Sequence, residues 1–121
     1  MLEMLELDID NAVAFRIAGK VTDAEMSYVL DAARLKRQQH DKIVFLEQID
    51  SFKGIELAAI ITEFKYVFEI GFSHVSKVAV VSDKQWLKNI ACIEDKLFRS
   101  IDIRCFASED RELALAFLKT A

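Results

Sequence analysis

Lys42–Gln48 reads KIVFLEQ. Ile43, Val44, Phe45 and Leu46 follow one another without a polar break. A half-buried strand would alternate. A continuous run fits a strand covered on both faces, as in a parallel sheet. Lys77–Ser82, KVAVVS, has the same character. Between the two lies Ile49–Phe72, IDSFKGIELAAIITEFKYVFEIGF, a polar turn from Asp50 to Gly54 followed by a long apolar run. At about 100° per residue, Leu57, Ile60, Ile61, Phe64, Val67, Phe68 and Gly71 share one face of a helix. That is the ordinary stripe that packs a helix on a sheet. A strand, a helix and a strand in this order predict a crossover unit.

The rest of the chain extends the pattern. Leu2–Leu7 alternates loosely, Asp8–Asn11 is a turn signal, and Ala12–Ala18 alternates again, which predicts an antiparallel edge hairpin. Thr22 and Glu25 have capping-box spacing, so a helix is expected from about Asp23 with Met26, Val29, Leu30 and Ala33 inward. Its cationic end, Arg34, Lys36, Arg37 and His40, suits a helix carboxyl terminus. Ser82 with Gln85, or Asp83 alone, would cap a helix with Trp86, Leu87, Ile90, Ile93 and Leu97 as its apolar positions. Ile101–Phe106 alternates as a last strand. Ser108, Glu109 and Asp110 open a final helix whose stripe is Leu113, Leu115 or Ala116, Phe117 and Leu118. The expected order is β-β-α-β-α-β-α-β-α, an α/β fold with a mixed, mostly parallel sheet.

Composition narrows the function. The chain has 121 residues, 53% of them hydrophobic and nine of them Phe, which is ample for one core and suits a single domain over residues 1–121. Net charge is -4, so no global field invites nucleic acid. No apolar run reaches the roughly 18 residues of a membrane span. The opening MLEMLELDID is acidic where a signal peptide would be basic, so a cytoplasmic protein is expected. Cys92 and Cys105 lack CxxC spacing and read as buried thiols. His40 and His74 sit in no ligand-spaced cluster, so neither a metal nor another cofactor is expected. Gly19-Lys20 is not a phosphate loop, because Ala14 stands where the first glycine belongs and Val21 where Ser or Thr belongs. No catalytic constellation can be assembled, and the expectation is a binding domain rather than an enzyme.

Three pieces in this order carry a resemblance: Gly19-Lys20-Val21-Thr22 after the hairpin, Phe52-Lys53-Gly54 before the long helix, and Lys77–Trp86, a strand closing on Asp83-Lys84-Gln85-Trp86. The chain resembles the SpoIIAA-like family of the STAS and CRAL-TRIO-like α/β folds over nearly its whole length. The resemblance implies two functions. STAS relatives present a phosphorylated serine at the turn before the central helix, where Ser51 stands here. The usual Asp-Ser-Ser/Thr-Gly pattern is absent, since Phe52 and Lys53 follow Ser51. The CRAL-TRIO branch holds lipids between sheet and helices.

The preferred expectation is a domain for an apolar small molecule of lipid or fatty acyl type, lined by Ile60, Phe64, Phe68, Phe72, Trp86 and Ile90. Tyr66, Ile70 and Phe72 lie off the stripe of their helix. They pack under a neighbouring helix, or they line a pocket, a partner surface or a membrane surface. Trp86 and Leu87 with Lys84 and Lys88 would suit transient contact with the inner membrane face, at roughly 1 kcal/mol per basic residue. The alternative is a regulatory protein-interaction module with Ser51 as its phosphosite. The edge hairpin also permits a homodimer.

Overall fold

The computed structural model describes residues 1–19, 21–51, 74–82 and 102–119. The helices expected after Ser51 and after Ser82 lie outside the described residues. Those residues hold a five-stranded sheet in the order β1-β2-β3-β4-β5: β1 Leu2–Leu5, β2 Ala12–Ala18, β3 Ile43–Ser51, β4 Val75–Ser82 and β5 Asp102–Ala107. β1 runs antiparallel to β2, and every other pair is parallel. Two helices complete the described part, α1 over Asp23–Gln39 and α2 over Arg111–Lys119. The expected α/β class and the edge hairpin are both present.

The alternation of side chains across the sheet builds two cores. Val13, Phe15, Ile17, Phe45, Ile49, Val78 and Val80 share one face, closed by Met26, Val29 and Ala33 of α1. Ala12, Ala14, Val44, Leu46, Ala79 and Val81 share the other, closed by Ala114 and Leu118 of α2 and by Ile9. The run Ile43–Leu46 is therefore buried from both sides, as its composition demands. Three of the six sheet residues on the α2 face, Ala12, Ala14 and Ala79, are alanines.

Local chemistry sets the start of α1. Thr22 is the N-cap, and its hydroxyl accepts from the Glu25 amide at 3.2 Å. Glu25 reaches back to the Thr22 amide at 3.1 Å, which completes the expected capping box. Its other carboxylate oxygen accepts from the Leu2 amide at 2.6 Å, so the same side chain ties β1 to the helix. Bonds from the Leu2 amide and then the Thr22 amide hold the Glu25 carboxyl below the usual range.

Several boundaries differ from expectation. β1 stops at Leu5, two residues early. β3 runs on through Asp50 and Ser51, where a turn was expected. Tertiary bonds extend it: the Ser82 hydroxyl donates to the Ile49 carbonyl at 3.0 Å, and Ser51 pairs with Ala18 across a register shift. The last helix begins as a 3-10 turn over Ser108–Asp110. Leu113 does not join its inward stripe and is 59% exposed. Ala114 is buried instead, four residues before Leu118, which is buried as expected.

Truncation at the two-sided core should be costly. Phe45→Ala is expected to lose about 3–5 kcal/mol in urea denaturation, whereas exposed Tyr28→Ala stays within about 0.5 kcal/mol of the parent.

Candidate functional site

The parallel strands β2, β3 and β4 end close together at Ala18, Ser51 and Ser82. Gly19 follows Ala18 with φ 68°, a left-handed turn that glycine adopts without strain. The backbone of Ser51 is the last of β3, beside Ala18. Ser82 is fully buried, and its hydroxyl serves the Ile49 carbonyl.

A charged cluster lies on the α2 side of this end. Arg16 Nη2 donates to Glu3 Oε2 at 2.9 Å. Its Nε lies 3.4 Å from Asp50 Oδ2, an ion pair without hydrogen-bond geometry, and that Nε is buried with no hydrogen bond. Gln48 Nε2 donates to Asp50 Oδ1 at 3.2 Å. Arg16 and Gln48 pair in register, so β2 and β3 hold the cluster in place. Its carboxylates are about half exposed to water, Glu3 at 52% and Asp50 at 41%, and screened, so it contributes little to stability. Its significance is position, immediately before Ser51.

A second feature is absent from the sequence-based expectations. Glu47 is only 5% exposed, in the middle of the α1 face of β3. Phe15 of β2 and Val80 of β4 flank it in register, and Cys105 of β5 extends the row. Burial pushes its carboxyl up to about 7. The signal was available: Ile43, Phe45 and Ile49 alternate onto that face, and Glu47 falls in the same period.

The structure brings none of the expected ligand-lining residues into view. Ile60, Phe64, Phe68, Phe72, Trp86 and Ile90 lie outside the described residues, as do Tyr66, Ile70, Lys84, Leu87, Lys88 and Cys92. Cys105 is half-buried. Among the described residues no group of three or more His, Cys, Asp or Glu side chains could hold a metal ion. No described helix is long and apolar enough to cross a membrane.

The raised Glu47 carboxyl has a signed consequence. Its folded value lies above the unfolded one, so folding is favoured while both states are protonated and loses ground as pH rises toward about 7. Glu47→Gln should therefore match the parent in chemical denaturation near pH 4. It should exceed the parent increasingly up to pH 7, then hold a constant margin. A margin independent of pH would contradict the buried, protonated carboxyl.

No curated protein and no solved structure matches the chain. The model of the SpoIIAA-like family matches residues 12–119, from the first residue of β2 to the last residue of α2. That span includes Arg16, Glu47, Asp50 and Ser51, and it leaves β1, its turn and the last two residues outside. The chain belongs to the SpoIIAA-like family.

Proposed function

We propose that this chain is a non-enzymatic, STAS-type regulatory module whose partner surface is the carboxyl end of β3, with Ser51 as the phosphorylated residue. Membership of the SpoIIAA-like family supports a regulatory module of this kind. The observation that carries the site is the position of Ser51 as the last residue of a strand paired on both sides, directly after Asp50, which pairs with Arg16. A phosphate there adds about -1.5 to -2 charge beside the Asp50 carboxylate. Arg16 already spans the Asp50 and Glu3 carboxylates, so the added charge falls next to a cluster in which acid already outnumbers base. The local charge then becomes more negative without any change in the core. A partner docked on this end reads that added charge directly.

A second reading keeps the apolar ligand. It rests on the surplus of Tyr66, Ile70 and Phe72 beyond one packing stripe. The cavity would be lined by Ile60, Phe64, Phe68, Phe72, Trp86 and Ile90, and Lys84, Leu87 and Lys88 would touch an anionic bilayer during loading. On both readings the protein is one domain working in the cytoplasm, and a homodimer would place two such surfaces on one particle.

Phosphosite mapping on protein isolated from its own cells, followed by partner binding of Ser51→Asp and Ser51→Ala, tests the first reading. Phosphate at Ser51 and an affinity change of about tenfold or more between the two variants are expected. An unmodified Ser51 with equal binding by both variants overturns it. Native mass spectrometry addresses the second: a co-purified acyl mass lost in Phe64→Asp supports it, and a bare protein that takes up no fluorescent fatty acid removes it.

A further inference from the structure

Tyr28 and Leu35 stand two turns apart on the outer face of α1. At about 100° per residue they lie on the side of the helix opposite Met26, Val29 and Ala33, which face the sheet. Each is nearly two-thirds exposed. Ala24, one turn before Tyr28, is exposed on the same side. Ala24, Tyr28, Asp31 and Leu35 are spaced by four, three and four residues, the repeat by which one helix seats against another. A single exposed apolar side chain needs no explanation, but a seam of them at this spacing does.

The charges beside this seam are ordered along the helix. Asp31 precedes Arg34 on one flank, and Glu25 precedes Lys36 on the other. A second copy laid parallel would bring Arg34 near the partner's Lys36, base against base. Laid antiparallel about a two-fold axis, each flank meets its own reversed copy, so acid faces base on both sides. The midpoints of Tyr28 and Leu35, of Asp31 and Arg34, and of Glu25 and Lys36 all fall within one residue of the point between Asp31 and Ala32. One axis there serves all three pairs. Inside one chain Arg34 Nη1 lies 3.4 Å from Asp31 Oδ1 with both side chains largely in water, so this weak pair exchanges readily for the partner's. The Leu2 and Thr22 amides hold Glu25, and the Asp10 carbonyl holds Lys36 Nζ, which fixes those two charges on their flank. The outer edge of β1 is a poorer surface for a second copy: the strand is only Leu2–Leu5, and its Leu2 amide already donates to Glu25 at 2.6 Å.

We propose that two copies of this chain associate through α1, antiparallel about a two-fold axis, with Tyr28 of each against Leu35 of the other and Asp31 against Arg34. The helix is about 25 Å long. A single helix pair of that length buries less than the roughly 1,600 Å² of a standard interface, so the dimer is weak. It forms at high micromolar concentration and is dissociated at the low micromolar concentrations of chemical denaturation, where Tyr28 therefore contributes little. α1 runs opposite to the strands it connects, so the antiparallel pair points the two Ser51 ends away from each other and leaves both accessible. The association does not depend on Ser51, and each can fail without the other.

Sedimentation equilibrium of the full chain from low micromolar to millimolar concentration tests the assignment, with circular dichroism to check that each variant is folded. A monomer at the low end and a monomer–dimer equilibrium at the high end are expected. Leu35→Asp should weaken the dimer about tenfold or more, while Met4→Lys on the β1 edge leaves it unchanged. Asp31→Arg and Arg34→Asp should each lower self-association, because each makes its flank carry one sign of charge. Mixed in equal amounts, these two variants should pair with each other more tightly than either pairs with itself. A monomer at every concentration, a Leu35→Asp variant that associates like the parent, or a mixture no tighter than its components overturns the proposal. A dimer lost in Met4→Lys and kept in Leu35→Asp assigns the contact to the sheet edge and overturns it as well.

Discussion

β3 is hydrogen-bonded to a parallel neighbour on each side and covered on both faces, and the rest of the described structure follows from that constraint. A strand in this position has no wet side, so Ile43, Val44, Phe45 and Leu46 must all be apolar. Its two faces need separate covers. α1 supplies one with Met26, Val29 and Ala33, and α2 supplies the other with Ala114 and Leu118. The asymmetry between the covers matters. The α1 face is filled by large side chains such as Phe15, Phe45 and Ile49, whereas the α2 face sets alanines at 12, 14 and 79 among Val44, Leu46 and Val81.

Polar groups on so constrained a strand are informative because each one opposes the burial around it. Glu47 interrupts the α1 face between Phe45 and Ile49, and burial raises its carboxyl toward neutrality. On the α2 side, the carboxyl end of β3 holds Asp50, Glu3 and Arg16 in a linked cluster next to Ser51. A rigid strand can present that cluster without disturbing the core.

The fold was legible where burial or local bonding dictates residue type. Two-sided burial leaves runs such as Ile43–Leu46 and Val78–Val81, and no other sheet position needs them. The capping box of Thr22 and Glu25 spans four residues and could be read directly. The end of β3 could not, because Asp50-Ser51 has the composition of a turn and only the Ser82 hydroxyl and the pairing with Ala18 carry the strand further. The inward face of α2 was misread for a similar reason. Leu113 is the larger apolar residue, but Ala114 takes the buried position. Glu47 was detectable by its period, although it directly follows the apolar run Ile43–Leu46. The apolar residues between Ile60 and Ile90 retain the reading their spacing supports, outside the described residues.

Native-state hydrogen exchange of the backbone amides interrogates the role of β3 itself. Val44, Phe45 and Leu46 should exchange only through global unfolding, with a protection free energy equal to that from chemical denaturation, while Leu2–Leu5 of the outer strand β1 exchange through smaller openings. Exchange of the β3 amides as fast as those of β1 would contradict the account, because the strand would then not be the element on which the other layers depend.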